Sequence, residues 1–362
     1  MRLDNIKKEL KSLQNTWVIT GVAGFIGSNL LEELLKLNQV VVGLDNFSTG
    51  HRKNLDEVKS IVSADQWKNF KFHEGDITNL ADCNMICSHA DYVLHQAALG
   101  SVPRSIENPV ATNASNISGF LNMLEAARSY YDMLKPSNKK TFRFIHISTD
   151  EVYGDLVNVE DYFTESSLYK PSSPYSASKA SSDHLARAWN KTYQLPVIVT
   201  NCSNNYGPFQ YPEKLIPLII KNAINCQPLP IYGNGSQIRD WLYVDDHIKA
   251  LLKVLSLGVP GETYCIGGSN EKTNIDVVKT ICTIMNKLLP KENLKYEELI
   301  THVEDRPGHD VRYAIDATKI RQDLGWIPDN NFDSGIEKTV KWYLSNLDWY
   351  DDKNTSKRRG LI

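Results

Sequence analysis

An α/β architecture is what this sequence predicts: a doubly wound parallel sheet with helices on both faces, followed by a smaller C-terminal lobe. Three observations lead there. Short apolar strands alternate with helical segments through the first two hundred residues, the signature of repeated β-α-β units. A glycine-rich turn joins the first buried strand directly to a helix. Beyond Asn201 the texture becomes loop-rich, with short helices between the loops.

After a short amphipathic N-terminal helix, Trp17-Val18-Ile19-Thr20 reads as a buried strand, and Gly21-Val22-Ala23-Gly24-Phe25-Ile26-Gly27 as the turn that opens a helix to residue 37. Val40-Val41-Val42-Gly43-Leu44 is a second strand ending on Asp45. Phe70-Lys71-Phe72-His73-Glu74 is a third, ending on Gly75-Asp76-Ile77. Tyr92-Val93-Leu94-His95-Gln96 is a fourth, ending on Ala97-Ala98. A long helix is expected from about Asn108 to Tyr130, broken by the polar stretch Lys135-Pro136-Ser137-Asn138-Lys139-Lys140. The central strand Phe144-Ile145-His146-Ile147 and a sixth, Leu195-Pro196-Val197-Ile198-Val199-Thr200, complete a Rossmann-type sheet. The expected division is 1–201 for the dinucleotide-binding domain, with late strands from 240–267 interleaved, 202–350 for a substrate lobe, and 351–362 for a polar, frayed tail.

A formal net charge of -3, with 41% hydrophobic and 23% charged residues, describes a globular protein with no basic field for nucleic acid or membrane surfaces. Lys357-Arg358-Arg359 in the tail is too small a cluster to reverse that balance. The N-terminus lacks the apolar core of a signal peptide, and no apolar run approaches the ~18 residues of a membrane span, so the expected location is cytoplasmic. Six scattered cysteines read as free thiols. Cys83, Cys87 and His89 lack the second cluster a structural metal would need, and no metal is expected.

The chemistry-bearing residues sit where a parallel sheet binds ligands, at strand C-termini. At the glycine turn, Gly21, Gly24, Phe25, Ile26 and Gly27 let backbone N–H groups and a helix N-terminus approach a pyrophosphate. Asp45 is placed to accept from ribose hydroxyls and to repel a 2′-phosphate, which favours NAD over NADP. Asn46 follows it, Asp76 and Ile77 are placed near the adenine, and Ala97 and Ala98 allow close backbone approach. The central strand runs into Ser148-Thr149-Asp150-Glu151, and Tyr175 and Lys179 lie four apart on one face of a starting helix. The lysine ammonium would favour the tyrosinate, making the phenol a base near neutral pH.

In this order these features resemble the extended short-chain dehydrogenase/reductases that act on nucleotide sugars. From about residue 144 to 350 the chain is similar to the dTDP-glucose 4,6-dehydratases, through His146-Ile147-Ser148-Thr149-Asp150-Glu151-Val152-Tyr153-Gly154, Pro174-Tyr175-Ser176-Ala177-Ser178-Lys179, Thr200-Asn201-Cys202-Ser203-Asn204-Asn205-Tyr206-Gly207-Pro208 and Asp305-Arg306-Pro307-Gly308-His309-Asp310. Upstream of about Arg128, Asp45-Asn46-Phe47-Ser48-Thr49-Gly50-His51 and His95-Gln96-Ala97-Ala98-Leu99-Gly100-Ser101-Val102-Pro103-Arg104-Ser105 look like the UDP-N-acetylhexosamine 4-epimerases, which gives the chain a mosaic character.

The resemblance implies the following roles. Tyr175 takes the proton of the sugar 4-hydroxyl as C4 is oxidised by NAD, Lys179 holds the tyrosinate and the nicotinamide ribose, and Thr149 bonds the 4-oxygen. Asp150 is the acid and Glu151 the base of the dehydration, whereas a 4-epimerase, the alternative, carries small hydroxyl residues there. Asn116 supports the cofactor. Ser101 and Arg104 face the substrate side, and Asn204, Lys214, Leu215, Tyr232, Arg239, Asn274, Arg306 and His309 hold the nucleotide sugar, the arginines suiting its diphosphate. A homodimer is expected through a four-helix bundle built from the helix of Asn116 and that of Tyr175, with Phe120, Leu124 and Leu185 on their apolar faces.

Overall fold

The structure, a computed structural model, describes residues 3–350; the tail expected over 351–362 lies outside them. In chain order the strands are β1 Thr16–Thr20, β2 Val40–Asp45, β3 Phe70–Glu74, β4 Tyr92–His95, β5 Arg143–Thr149, β6 Val197–Cys202, β7 Asn204–Tyr206, β8 Leu229–Tyr232, β9 Ile238–Tyr243, β10 Thr263–Ile266, β11 Glu271–Thr273 and β12 Ile300–Val303. Seven form one parallel sheet in the order β10-β6-β5-β4-β1-β2-β3. Strand order reverses between β1 and β4, so a crevice opens at their C-terminal ends, where the glycine turn lies.

Continuous apolar runs build this sheet because both faces are covered. Trp17, Val18 and Ile19 in β1 are wholly buried. On one face β1 and its neighbours pack against helices Leu3–Ser12, Phe25–Lys36 and Val244–Leu257, through Ile6, Leu30, Leu34 and Leu251. On the other they meet helices Leu80–Cys87, Phe120–Met133 and Pro174–Tyr193, through Ile86, Phe120, Leu124 and Ala186. Phe120 and Leu124 are therefore spent on the chain's own core and have no face left to offer a second subunit; Leu185 is only partly buried. Cys83, Cys87, Cys202, Cys265 and Cys282 are buried free thiols and Cys226 is exposed.

The smaller lobe holds a three-stranded sheet, β11-β9-β7, and a two-stranded one, β12-β8. Its core gathers Ile219, Val278, Ile281 and Ile336 from helices Leu215–Ile224, Asn274–Leu288 and Phe332–Ser345. Of the late segment expected in the large sheet, only β10 joins it. β9 pairs instead with β7 and β11, because its partner Asn204–Tyr206 directly continues β6 and carries the pairing into the small lobe.

The long helix also differs from expectation. Asn108 caps Ala111 N to start helix Pro109–Asn113, residues Ala114–Gly119 widen into a π-helical stretch, and an α-helix resumes to Met133. A Cβ on Gly119 would lie 2.7 Å from Ile77 Cγ1, so the widened turn presses on the loop after β3. π-bulges of this kind gather at functional sites. A short helix, Pro136–Thr141, occupies the stretch read as a polar break. Among the described residues no helix is long and apolar enough to cross a membrane, and no group of three His, Cys, Asp or Glu side chains is gathered to hold a metal.

Candidate active site

The glycine turn is shaped by close approach. Gly21 takes φ +71°, and a Cβ there would stand 3.1 Å from Ala97 Cα; one on Gly27 would stand 2.2 Å from Gly21 O. The following twelve-residue helix has Gly24 as its N-cap, with no side chain on its first N–H groups, so Phe25, Ile26 and Gly27 offer them to an anion. Asp45 lies across from this turn. Its Oδ2 accepts from Ala23 N at 2.9 Å and its Oδ1 from Phe47 N at 2.8 Å, while burial raises its carboxyl above the ordinary value. An uncapped helix start beside a strand-end carboxylate is the donor and acceptor set that a dinucleotide diphosphate and its ribose require, so these residues fit NAD.

All five turn residues line one cleft of ≈ 500 Å³, together with Asp45, Asn46, Ile77, Ala97 and Ala98. Asp76 and Asn116 do not. Asp76 accepts from Asn46 Nδ2 at 2.7 Å and from Thr78 N at 2.8 Å, placing it behind Asn46. Asn116, 2% exposed in the π-helical stretch, accepts from Leu99 N at 2.8 Å and donates to Ser178 Oγ at 2.9 Å. It stitches the wall of the cleft to the Tyr175 helix from behind the lining residues.

At the end of β5, Thr149 caps the short 3₁₀ turn Asp150–Tyr153: its Oγ1 accepts from Glu151 N at 3.3 Å and donates to Asp150 Oδ1 at 3.3 Å. Asp150 is 1% exposed, and its Oδ2 has no partner. Burial, then the neighbouring carboxylates of Glu151 and Asp240, push its pKa well above the ordinary value, so it keeps its proton. Burial raises Glu151 too, but Lys214, Arg239 and Arg306 oppose that rise. Both carboxyls are raised by burial, but Glu151 has three nearby cations against one anion, whereas Asp150 has two anions against one cation.

Helix Pro174–Tyr193 starts with a capping box in which Ser173 and Ser176 bond reciprocally, and Tyr175 N donates to Ser105 Oγ at 3.1 Å. Tyr175, Lys179, Thr149 and Glu151 all line the cleft. Here one expectation is corrected. Burial, then the charge of Glu151, pushes the Tyr175 phenol well above its ordinary value, and Lys179 Nζ donates to Ile147 O at 2.9 Å. The lysine alone therefore does not yield a phenolate near neutral pH; the positive charge of an oxidised nicotinamide held in the cleft would act in the required direction. Burial lowers Lys179 to about 8, against the opposing charge of Asp183.

The small lobe supplies Asn204, Lys214, Leu215, Tyr232, Arg239, Asn274, Arg306 and His309 to the same cleft. Asn204 Oδ1 is buried without a partner. Arg239 donates to Asp310 O at 2.9 Å and Ile238 O at 2.7 Å and lies 4.2 Å over the Tyr313 ring, which fixes its guanidinium. His309 Nδ1 sits 2.6 Å from Asp305 Oδ1, and its ring meets Tyr232 edge-on at 6.2 Å. Ser101 and Arg104 are not among the lining residues. Ser101 is the N-cap position of helix Val102–Glu107, and Arg104 pairs with Glu213, a partner too distant in sequence to foresee. Beside that pair, Lys214 Nζ donates to Gly100 O at 2.6 Å and the rings of His51 and Tyr211 stack at 4.4 Å, so residues 211–214 strap the small lobe to the sheet edge.

Sequence reasoning missed Asp240, held by Gly268 N at 2.9 Å and Asn270 N at 2.8 Å while it biases Asp150, because its effect is felt across lobes. It also passed over Gln96 and Ser148, whose buried polar atoms lack partners beside the cleft; both stand at strand C-termini, the signal that could have found them.

The family model described as GDP-mannose 4,6 dehydratase matches residues 18–339. The chain is 52% identical over 342 residues to the dTDP-glucose 4,6-dehydratase of Neisseria meningitidis serogroup B, covering 92% of this chain and 95% of that protein. It is 52% identical over 357 residues to dTDP-glucose 4,6-dehydratase 1 of Escherichia coli K12, covering 95% of this chain and 97% of that protein. These spans include the epimerase-like front part. The crystal structure of DesIV, a dTDP-glucose 4,6-dehydratase from Streptomyces venezuelae with NAD and TYD bound, superposes with a TM-score of 0.82 at 37% identity, over 93% of this chain and 99% of that one. The UDP-glucose 4-epimerase of Thermotoga maritima superposes at 0.79 with 29% identity, over 92% and 99% of the two chains.

Proposed function

The chain belongs to the GDP-mannose 4,6 dehydratase family, and we propose on that footing that it converts dTDP-glucose to dTDP-4-keto-6-deoxyglucose in an NAD-dependent dehydration. The observation that carries this is the Asp150–Glu151 pair, one carboxyl kept protonated by burial and anions and the other set among Lys214, Arg239 and Arg306, beside Tyr175 and Lys179. A 4-epimerase has the same fold and no use for such a pair.

Gly21, Gly24, Phe25, Ile26, Gly27 and Asp45 would hold NAD, which would supply the hydride acceptor for C4 and the hydride donor for C6. The chain's residues handle the protons. Tyr175 receives that of the 4-hydroxyl, and Thr149 donates to the 4-oxygen. The resulting 4-ketone acidifies C5–H, which Glu151 removes, while Asp150 protonates the 6-hydroxyl so that water leaves; as hydride is added at C6, Glu151 returns its proton to C5. Arg239, Arg306 and Lys214 neutralise the diphosphate, Asn204 offers it an amide, and Tyr232, Asn274 and Leu215 bound the nucleoside. His309, aligned by Asp305, borders the phosphate. Ser101 and Arg104 shape the sugar end indirectly, through the helix that follows Gly100 and the Glu213 pair.

With dTDP-glucose deuterated at C4, the label should arrive at C6 of a 4-keto-6-deoxy sugar. Label that returned only to C4, with an epimer as product, would replace this reading with the 4-epimerase one.

Within the same reading the protein is cytoplasmic, which six free thiols support, and homodimeric through the helices of Asn116 and Tyr175. Leu121 is 36% exposed and Leu185 part-exposed on these helices, leaving apolar surface for a partner. Light scattering should return twice the chain mass; a monomeric mass would rule out the bundle. The lobes act as a dinucleotide domain to about residue 201, joined by β10, and a substrate lobe beyond it.

A further inference from the structure

Behind the cleft, on the sheet side of the Tyr175 helix, lies a buried cluster of polar groups with no part in the scheme above. Asp183 is its centre: it is wholly buried, one helical turn beyond Lys179. Its Oδ2 accepts from Tyr169 Oη at 2.7 Å and Asn201 Nδ2 at 3.0 Å, and its Oδ1 lies 3.1 Å from His146 Nε2, close but out of line for a strong hydrogen bond. Asn201 Nδ2 also donates to Thr149 O at 3.1 Å, and His146 directly precedes Ile147, whose carbonyl holds Lys179 Nζ. One carboxylate thus links the helix of Tyr175 and Lys179 to both ends of the strand segment that presents Thr149, Asp150 and Glu151.

We propose that Asp183 is a positioning residue for the reaction: it supplies the negative charge that lets Lys179 stay an ammonium in a buried interior, and it ties the Lys179 helix to the Thr149 end of β5. The inference rests on the functional reading just given and goes beyond it.

The groups around Lys179 leave Asp183 that task. From β4, His95 is neutral, burial holding its pKa well below the ordinary range. From β5, His146 is neutral as well, lowered to about 4 by burial and by the Lys179 charge. From β6, burial raises the Cys202 thiol to about 12. On the helix itself burial raises the Tyr175 phenol, which lines the cleft, and Arg187, a further turn along, donates to Tyr169 Oη at 2.6 Å and stacks on that ring. Burial alone would raise Asp183, yet the contacts with His146 and Asn201 and the Lys179 charge hold it below the usual carboxylate value. Among these described neighbours, Asp183 is the anion on the interior side of the lysine.

The test is the pH profile of kcat for dTDP-glucose dehydration by purified holoenzyme. Wild type should lose activity as pH rises through about 8, the value to which Lys179 is lowered. Asp183→Asn keeps the shape and removes the charge, and its alkaline limb should move to lower pH by about one unit or more, a tenfold change in the lysine's proton affinity. Asp183→Glu keeps the charge on a displaced carboxylate; its limb should stay at the wild-type position while kcat falls, and it serves if the Asn variant does not fold. An Asn variant with lower kcat and an unmoved limb, or a Glu variant whose limb shifts, would overturn the proposal. A wild-type protein that dehydrates no dTDP-glucose at any pH would instead overturn the functional reading, so the two failures are distinguishable.

Discussion

Glu151 and Asp150 are neighbours in the chain with different charged surroundings, and the cations around Glu151 suit it to the part of base. Glu151→Gln preserves shape and hydrogen bonding but cannot accept the C5 proton. Dehydration should fall about 10²–10⁴-fold, the usual weight of a general base, while oxidation at C4 continues. A 4-keto hexose with its 6-hydroxyl intact, trapped by borohydride, is the product to look for; a variant that dehydrates at the wild-type rate would remove Glu151 from the mechanism. At this scale the legible residues were those whose partners are local. Tyr175 and Lys179 are one helical turn apart, and Thr149, Asp150 and Glu151 are consecutive, so spacing alone assembled them. Arg104 was misplaced because its partner, Glu213, is 109 residues away. The burial that raises the Tyr175 phenol was not legible, because sequence shows the nearby lysine and hides the surroundings.

The glycine turn and its helix make one element, and it works by having no side chain where the chain crosses itself. Gly27→Ala would drive a methyl to 2.2 Å from Gly21 O and 2.7 Å from Gln96 Nε2. The helix start must back away, and its free N–H groups go with it. Gly27→Ala should bind NAD at least about tenfold more weakly than wild type, equivalent to ~1.4 kcal/mol of lost affinity; an unchanged Kd would show that the turn tolerates the displacement. Strands β1 to β6 were legible to within a few residues, since apolar runs between turns leave little choice. The π-helical stretch was not. Asn108, Pro109 and the residues after them read as ordinary helix, and the widening follows from Asn116 reaching Ser178 and Gly119 meeting Ile77. β9 was given to the wrong sheet because Ile238–Tyr243 has the buried texture of a strand in either one.

The two lobes are joined by buried polar contacts, and these make the whole molecule sensitive to acid. His247, on the helix beneath the large sheet, approaches Asn205 Oδ1 of β7 at 2.9 Å across the boundary, and burial lowers it to about 3. Its folded pKa lies below its ordinary 6.5, so between those values the unfolded chain binds a proton that the folded chain refuses. Stability from this group is present above pH 6.5 and is lost as pH falls. Buried acids act in the opposite sense: burial raises Asp240 to about 6, and its contribution is lost as pH rises. The net slope of the wild type is therefore a mixture, and a comparison isolates the histidine. Relative to His247→Gln, wild type should lose stability by about 1.4 kcal/mol per pH unit below 6.5, read as a widening gap between their thermal midpoints. Midpoints that stay parallel from pH 7 to 4 would show that His247 is charged in the folded protein.

The seventh strand of the large sheet has a further consequence for how the molecule comes into being. β10 lies beside β6 at the sheet edge, yet between them in sequence run β7, β8 and β9 and helices Leu215–Ile224 and Val244–Leu257. A chain emerging from the ribosome can pair β1 to β6 early, but Val197 to Cys202 then wait with one flank bare until Ile266 has been synthesised. Through that interval the nascent half-protein carries an open, strongly apolar edge, and shielding it falls to a chaperone or to the speed of translation.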